Sequence, residues 1–566
     1  MSHQAATQSM GDRDLRNRKI FSELLEMMLE VNRTMEDHFL EFTTREMQGP
    51  PLNEESYAQT IREQQGRIRD LMSKIVKLLW SEVVDNLGLK QPPSAQDSSI
   101  DITGRPTALS FRQPDQPDLR QREFEVAFVS YFLSKRGSDI STSYHKNFQN
   151  YEDYQRDKYH EETNPLGFLN LSTSENKLCL DLMTERLCQR DMNSVEDVLL
   201  QYSDWKGQPF LREEVARFLS YYCKAPYYID PENVVVLNGC CSVFSALAMV
   251  LCDPGEAFLV PTPFCGGFVF TSSLYAKVEL IFVYLESEVT AENTHPFQLT
   301  VEKLELVLME AKSKAKKVRG LLLSNPQNPL GDVYSLESLM QYLIFAKRHK
   351  LHVIMDEVYM LSVFDESIKF HSVLSIESLP DPQRTHMIWG TSKDFGIAGF
   401  RFGALYTYNK EVASAVSSFG YLHSISGIAQ YKLCRLLQDR EWINRMYLPV
   451  NHCRLRFAHK YVTDQLEALK IPFLNRGSGL YIWINLKEYL EPCTFEEEKA
   501  LHQRFLAHKL MLSRGKSFTC KEPGWFRLIF AENHQQLREG MHRFCQALQD
   551  QKDYWVTKEL ESAMRE

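Results

Sequence analysis

The segment 390-GTSKDFGIAGFRFG-403 places a single lysine after Gly, Thr and Ser, continues into a glycine-rich turn, and places an arginine eight residues after the lysine. Glycines at this density stop a helix from continuing through the turn. Lys393 and Arg401 therefore flank a tight reversal of the chain. An ordinary surface loop would explain either residue alone, because most Lys and Arg side chains are exposed. The rest of the chain decides between that explanation and a functional one.

From about residue 230, short apolar runs alternate with stretches of helical periodicity. The runs are VVVLNG (234–239), AFLVP (257–261), VELIFVYL (278–285), RGLLLSNP (319–326), LHVIMDEVY (351–359), THMIWGTSKD (385–394) and RFGALYTY (401–408). This alternation is typical of an α/β fold with a mostly parallel sheet.

Polar or turn-forming residues close five of these runs. They are Asn238-Gly239, Pro261-Thr262-Pro263, Asn325-Pro326, Asp356-Glu357 and Ser392-Lys393. Sheets of this kind bind ligands outside the carboxyl ends of their strands. The residues that close the runs are therefore candidates for one shared binding site, and Lys393 is among them.

Composition restricts the class of protein. A chain of 566 residues with 43% hydrophobic and 25% charged residues has the make-up of a globular protein of two to four domains. A net charge of −9 argues against nucleic acid as a partner. The polar N-terminus and the lack of any run of ~18 apolar residues argue against a membrane protein and favour the cytosol. The twelve scattered cysteines predict reduced thiols and no metal site.

The N-terminal part of the chain has a different pattern. Residues 20–42 and 61–78 each carry apolar residues at alternating steps of three and four, which predicts a helical hairpin within residues 1–89. Such a hairpin either binds a partner or packs on its own protein's body. Prolines among Ser, Asp and Gln predict a linker and lead-in over residues 90–144.

The strand-end residues and the lysine motif together resemble the fold-type I class of pyridoxal-phosphate (PLP) enzymes, the class I and II aminotransferase group. Within it, residues 145–550 are similar to 1-aminocyclopropane-1-carboxylate (ACC) synthases, and more so to the vertebrate ACC synthase-like proteins. The resemblance implies a large PLP-binding domain with a mostly parallel sheet, residues 216–429. It also implies a smaller α/β domain formed by residues 145–215 and 430–566, with the N-terminal helical extension in front.

The resemblance gives the opening motif a specific role. Lys393 is expected to bond to the PLP aldehyde and, once displaced by an amino acid, to act as the base at Cα. That role requires a depressed lysine pKa, which burial would supply. Ser392 and Arg401 are expected to bind the cofactor, with the Arg401 guanidinium on its phosphate. Lys393 and Arg401, at the two ends of the turn, would then bind two groups of the same small molecule.

The segment VVVLNGCCSVFSALAMVLC predicts a strand, a tight turn and a helix. Free backbone N–H groups at a helix N-terminus bind anions. Gly239, Cys240 and Cys241 are therefore expected to receive the PLP phosphate. A thiol nucleophile or a redox pair is the alternative, but adjacent small residues in a tight turn more often serve only as small residues.

Three further residues correspond to cofactor ligands of the family. Asp356, in MDEVY, matches the carboxylate that pairs with the pyridinium nitrogen and keeps it protonated. Tyr359 and Asn328 match the residues that hydrogen-bond the phenolic oxygen of the ring. A lone acid at a strand end would carry little meaning, but these three occur together with the lysine motif.

Substrate binding is expected at residues further away in the chain. Arg527 lies in the apolar segment GWFRLIFA, where an unpaired guanidinium would be costly. The matching arginine of the family binds the α-carboxylate of the substrate, which implies an α-amino acid. Glu175, in NLSTSENKLC, falls where ACC synthases have an acidic residue near the substrate.

Four positions depart from the plant enzymes. Trp205 stands where those enzymes have a tyrosine that reaches across the dimer, although Tyr202 is close by in the sequence. Cys265 replaces a second tyrosine that lies against the ring, Gly390 a serine and Cys241 a threonine of the phosphate site. These losses predict that ACC formation is weak or absent.

Two functions remain open from the sequence. The first is a PLP enzyme that acts on an α-amino acid as an aminotransferase or a Cα–Cβ/Cγ lyase, in a homodimer with active sites at the subunit interface. The second is a protein with this fold but little turnover, which acts as a binding partner through its N-terminal helices.

Overall fold

The structure, a computed structural model of the chain, describes residues 132–290 and 293–563. The predicted N-terminal hairpin and most of the predicted linker lie outside these residues. The first described helix, α1, spans Lys135–Arg156 and so crosses the boundary predicted at residue 145. The Ser134 side chain caps it by accepting from the Gly137 N–H at 3.1 Å. The division into domains stays a prediction.

The described part of the chain contains thirteen strands. They are β1 (Leu169–Asn170), β2 (Val234–Leu237), β3 (Ala257–Thr262), β4 (Glu279–Tyr284), β5 (Val318–Ser324), β6 (His352–Asp356), β7 (Thr385–Trp389), β8 (Gly403–Thr407), β9 (Phe473–Leu474), β10 (Tyr481–Asn485), β11 (Leu510–Met511), β12 (Ser513–Arg514) and β13 (Trp525–Ile529).

The helices that follow α1 surround these strands. They are α2 (Leu180–Cys188), α3 (Pro209–Tyr222), α4 (Cys240–Leu251), α5 (Gly267–Thr271), α6 (Val301–Ser313), α7 (Leu336–Arg348), α8 (Thr391–Asp394), α9 (Lys410–Ser417), α10 (Gly420–His423), α11 (Gly427–Gln438), α12 (Arg440–Trp442), α13 (Leu448–Ala468), α14 (Phe495–Ala507) and α15 (His534–Ala563). None of these described helices combines the length and the apolar character that a membrane span requires.

Seven strands form the main sheet, in the order β2-β8-β7-β6-β5-β3-β4. β8 runs antiparallel to its two neighbours, and all other adjacent pairs are parallel. The predicted α/β fold with a mostly parallel sheet is therefore confirmed. Every residue of β2, β7 and β8 is buried, as expected for a sheet covered by helices on both faces.

The burial pattern follows from strand geometry. Successive side chains of a strand point to opposite faces, so Val234 and Val236 join one core while Val235 and Leu237 join another. The strand runs are apolar throughout because both faces are covered. This is why the sequence shows continuous apolar runs here and not an alternation of apolar and polar residues.

Two smaller sheets involve the C-terminal part of the chain. β1 and β11 form a parallel pair, and β12-β13-β10-β9 form an antiparallel sheet. Trp483 of β10 stacks on Trp525 of β13, with ring centroids 5.9 Å apart, and both belong to the same core as one face of the main sheet. This packing positions β13, which carries Arg527, against the main sheet.

A buried histidine pair lies at the start of β6 and β7, away from the strand ends that carry the candidate site. His352 Nδ1 lies 2.9 Å from His386 Nε2, and His386 Nδ1 lies 2.8 Å from Thr407 Oγ1. Burial lowers the pKa of His352 to about 4 and that of His386 to about 3. Both rings are therefore neutral in the folded protein at neutral pH.

This pair predicts a loss of stability in mild acid. Below pH 6.5 the unfolded chain protonates both histidines while the folded chain does not, so the free energy of unfolding decreases as the pH falls towards about 4. We expect the pair to contribute about 2–2.5 kcal/mol per pH unit between pH 6 and pH 5, with about half of it from His386. Urea unfolding of the wild type and of His386→Gln, compared at pH 7, 6 and 5, measures it. Parallel pH profiles for the two proteins would contradict this account.

Candidate active site

The register of the main sheet brings the strand-end residues to one edge. Ser324 at the end of β5 pairs with Asp356 at the end of β6, and Asp356 pairs with Ile388 near the end of β7. The turns after these strands therefore begin at the same level. They carry Asn328, Tyr359 and Lys393 respectively, which places three of the predicted site residues at one edge of the sheet.

Lys393 lies on the short helix α8, directly after β7. Its Nζ donates to the backbone oxygen of Ser174 at 2.5 Å. Burial lowers the pKa of the Lys393 amine below its ordinary value, and the nearby Arg527 guanidinium acts in the same direction. A larger fraction of this amine is therefore neutral and nucleophilic than for a lysine in water.

Asp394 fixes the helix that carries Lys393. Its carboxylate accepts from Ser362 Oγ at 2.7 Å, from the indole N–H of Trp389 at 3.1 Å and from the Leu361 N–H at 3.2 Å. Burial raises the pKa of Asp394 to about 7. This acid was missed from the sequence, because nothing in the motif shows that a residue next to the lysine faces the interior.

Asp356 is a buried carboxyl group at the end of β6. Its Oδ1 accepts from the Val358 N–H at 3.3 Å, and no Lys, Arg or His of the described residues forms an ion pair with it. Burial raises its pKa to about 7. An acid in this environment is stabilised by a cationic hydrogen-bond donor, and the protonated ring nitrogen of PLP is such a donor. The residue therefore fits the cofactor.

Tyr359 and Asn328 lie on the turns that follow β6 and β5. The Tyr359 hydroxyl and Ser174 Oγ are 2.8 Å apart, so Ser174 contacts both Tyr359 and Lys393. Asn328 Oδ1 accepts from Arg527 Nη1 at 2.8 Å. Ser174 was missed from the sequence because it lies 185 residues from Tyr359 and 219 from Lys393.

Arg527 reaches the same site from β13. Besides Asn328, its guanidinium donates from Nη2 to the Ser172 backbone oxygen at 2.5 Å, while Nε is buried without a partner in the described structure. The Phe518 ring lies 4.7 Å from the guanidinium carbon. No carboxylate of the described residues pairs with Arg527. A buried guanidinium in this state is suited to bind a carboxylate from solution.

A second group of residues forms a candidate anion site at the N-terminus of α4. Gly239 has a φ of +112°, and a Cβ on it would lie 2.8 Å from Arg401 Nη2. A Cβ on Gly403 would lie 2.5 Å from the Cys240 nitrogen. The two glycines thus let Arg401 lie against the first turn of α4, beside the backbone N–H groups of Cys240 and Cys241. Guanidinium and helix N-terminus together fit a phosphate group; Ser392 is half-buried on α8.

The cysteines of this region are neutral thiols. Burial raises the pKa of Cys241 to about 11 and raises those of Cys240 and Cys265 above the ordinary value. A nucleophilic cysteine needs the opposite shift. The geometry therefore supports the interpretation of Cys240 and Cys241 as small residues at a turn.

Glu175 and Trp205 lie in different surroundings. Glu175 is half-buried on the loop that also carries Ser172 and Ser174. Trp205 makes ring contacts with Tyr202 at 5.6 Å and with Tyr421 at 5.3 Å. Both tyrosines are largely exposed. The structure thus places Glu175 on the loop that contacts Lys393, and Trp205 in a surface aromatic group.

The fold and the site define the class of protein. The aminotransferase class I and II family matches residues 167–544, and the chain belongs to this family. It adopts the fold of PLP-dependent aminotransferases: an aspartate aminotransferase from Thermotoga maritima has a TM-score of 0.55 at 24% identity, covering 73% of this chain and 98% of that one.

Within the family, the chain is similar to vertebrate relatives of ACC synthase. It is 62% identical to the human "Probable inactive 1-aminocyclopropane-1-carboxylate synthase-like protein 2" over 100% of both chains. It is 58% identical to human "1-aminocyclopropane-1-carboxylate synthase-like protein 1", over 74% of this chain and 83% of that protein. The resemblance inferred from the sequence is confirmed.

Gly390 provides a test of the packing around the anion site. A Cβ there would lie 2.6 Å from the Phe402 oxygen and 2.8 Å from Cys240 Sγ. We expect Gly390→Ser to destabilise the protein by about 1–3 kcal/mol and not to strengthen PLP binding, because the added side chain displaces the anion site. Thermal unfolding and PLP titration measure the two effects.

Gly399→Ser is the matched control, because a Cβ on Gly399 would meet nothing within 4 Å. It should leave both unfolding and PLP titration unchanged. Tighter PLP binding by Gly390→Ser than by the wild type would show that the glycine is a lost phosphate ligand, as the sequence comparison suggested.

Proposed function

We propose that the protein is a PLP-dependent enzyme that acts on an α-amino acid, as an aminotransferase or a Cα–Cβ/Cγ lyase. The observation that carries this proposal is Asp356, a buried acid without a cationic partner in the described structure, beside an amine with a depressed pKa. PLP, when bound, withdraws electrons from Cα of the attached amino acid. The other steps depend on residues of this chain.

Each side chain has a distinct task in this proposal. Lys393 binds the cofactor and moves the proton at Cα, because it supplies an amine with a lowered pKa at the end of β7. Asp356 holds a proton on the ring nitrogen. Arg527 binds the α-carboxylate of the substrate as a two-pronged donor, and the carboxylate supplies the anionic partner that this guanidinium lacks in the described structure. Asn328 and Tyr359 act at the phenolic oxygen of the ring.

The remaining cofactor ligands are proposed to bind the phosphate group. Gly239, Cys240, Cys241, Ser392 and Arg401 hold the phosphate. Their geometry supports this role, because the guanidinium lies against the helix N-terminus.

Reaction choice depends on how the substrate side chain is held. Glu175 is proposed to lie near it, and Trp205 of one subunit to reach the site of the other in a homodimer. The half-buried Trp205, in ring contact with the exposed Tyr202 and Tyr421, supports such a contact. Forming ACC requires one orientation of a long substrate arm, and Trp205 and Cys265 replace the two tyrosines that set it in ACC synthases. We propose that ACC formation is weak or absent.

A cytosolic location is part of the proposal. All twelve cysteines of the chain lie in the described residues, and each is a free thiol. A reducing compartment suits this state.

The second candidate function is cofactor binding with little turnover. The name "probable inactive" of the relative that is 62% identical favours it. Under this alternative the N-terminal helices bind a partner, and the PLP fold serves as a scaffold. The two functions differ in whether the protein exchanges the Cα proton of amino acids.

Lys393→Ala tests the proposed function directly. We expect borohydride reduction of the wild type with PLP, followed by peptide mapping, to find the cofactor on Lys393. The alanine variant should incorporate none, because no other amine replaces it. Lys177→Ala is the control, since the Lys177 amine is paired with Glu532 at 2.6 Å and its pKa is raised. It should retain the label.

Label on another lysine, or no label in the wild type, would overturn the assignment. Exchange of the Cα proton of free L-alanine in D₂O, in the presence of the protein, then separates the two candidate functions. Exchange that is lost in Lys393→Ala supports an enzyme. Labelling without exchange, for a panel of amino acids, supports the scaffold.

Arg527→Lys tests the substrate class. We expect it to weaken amino-acid binding at least about tenfold while PLP binding is retained, because a point charge does not reproduce a two-pronged carboxylate contact. Titration of the PLP absorbance band with alanine measures it. Arg543→Lys is the control, a buried arginine that donates to the carbonyls of Gly167 and Pro165. Equal amino-acid affinity in both variants would make Arg527 a structural residue.

A further inference from the structure

A cavity of about 570 Å³, open to solvent, lies outside the candidate active site. Its lining comes from the segment that follows Tyr359, from α13 and from the turn before β10. The lining includes the apolar side chains of Phe364 and Ile368, the ring of His459, and the charged side chains of Asp365, Arg456 and Arg476. The volume is in the range of small-molecule sites.

Backbone pairing keeps the walls of this cavity in place. The N–H groups of Phe364 and Asp365 both donate to the Gly477 oxygen, at 2.9 and 3.1 Å. Gly477 has no side chain, and a Cβ there would collide with Asp365 and Ile368. Val363 forms a bridge to Ser478. The cavity is therefore a built feature of the fold.

His459 is a buried residue of the cavity lining. Its side chain is 9% exposed, and its Nε2 is buried without a hydrogen-bond partner in the described residues. The ring packs between Phe364 and Phe530, with centroids 5.3 and 5.2 Å away. Burial lowers its pKa to about 4, so the ring is neutral. A buried polar atom without a partner is costly unless a ligand or water satisfies it.

The charges around the cavity are of both signs. Arg456 and Arg476 supply two cations, and Asp365 and Glu366 supply two anions. Arg476 is committed to Asp332, whereas Arg456 bonds only through Nη1, to the Phe364 oxygen at 2.8 Å and to Glu366 at 3.5 Å. A simple anion or a simple cation would meet repulsion as well as attraction here. A small zwitterion matches both signs.

We propose that this cavity is a second binding site for a free α-amino acid. The carboxylate binds Arg456, the ammonium group binds Asp365, and an aliphatic side chain packs on Phe364 and Ile368. Asp365 retains an oxygen for this contact, since its bonds to the Ser367 N–H and Oγ both involve Oδ1. The site goes beyond the proposed function and does not depend on PLP.

The cavity also contacts elements of the active site. Phe364–Ile368 continues the chain from Tyr359, and Arg476 pairs with Asp332 of the loop that carries Asn328. An amino acid bound here would contact the segments that hold two proposed cofactor ligands.

The experiment is calorimetric titration of the full-length protein with L-leucine, 4-methylpentanoate and isoamylamine. The last two lack the ammonium and the carboxylate group respectively. Arg527→Lys serves as the background, because it weakens the proposed substrate site. We expect leucine to bind and each analogue to bind at least about tenfold more weakly. Equal binding of either analogue, or no leucine binding up to about 10 mM, would overturn the proposal.

Substitutions then locate the bound leucine. Arg456→Gln and Asp365→Asn should each weaken leucine binding at least about tenfold. Lys460→Gln, which removes an exposed cation from the same helix, should not. Melting curves check the fold, and the two variants remove opposite charges, so one remains informative if the other unfolds. Unchanged affinity in a folded Arg456→Gln protein, or an equal loss in Lys460→Gln, would refute the site.

Discussion

The burial of Asp356 at the end of β6 is the constraint on which the candidate site depends. The parallel register sets this carboxyl group level with the ends of β5 and β7, so Lys393 must enter the same dry region. A rise in the Asp356 pKa from 3.8 to about 7 corresponds to ~4 kcal/mol of ionisation free energy. Arg527 adds a buried cation that has no carboxylate partner in the described structure. Such a cluster opposes folding and is explained by ligands that supply the missing charges.

Glycines determine how closely the anion-binding groups approach one another. At Gly239 and Gly403 any side chain would push Arg401 or the turn away from α4. At Gly390 the space is taken by Cys240 Sγ and the Phe402 oxygen. Glycine at 390 and cysteine at 240 are thus one packing arrangement. The proposed phosphate site combines backbone N–H groups and a guanidinium with a single hydroxyl side chain, that of Ser392.

The sequence predicted the sheet and the strand-end residues that lie at its edge. Each strand-end residue closes an apolar run, and parallel strands bring their carboxyl ends to the same edge of the sheet. Asp356 and Lys393 were predicted in this way, whereas Tyr359 and Asn328 were predicted from the family resemblance. Ser174 and Asp394 were not, since their contacts join residues far apart in the chain or face inward without a local pattern. The cavity proposed to bind an amino acid was not predicted from the sequence, because its walls come from three segments that meet only in the folded chain. The sequence showed Gly390 only as the replacement of a serine that binds the phosphate. The structure shows that the space for a side chain at this position is already occupied.

The residues proposed for catalysis differ from those proposed for substrate positioning in whether their contacts lie inside one chain. Lys393, Asp356, Arg527 and Ser174 are brought together by hydrogen bonds and burial inside a single described chain, so the proposed proton chemistry at Cα uses groups of one chain. Trp205 instead packs among exposed tyrosines at the surface. An inactive relative with the same inner residues would then have lost the positioning of the substrate, not the base. Misplacement by about an ångström costs ~100-fold in rate while the base stays intact. Low turnover is therefore compatible with the proposed set of catalytic residues.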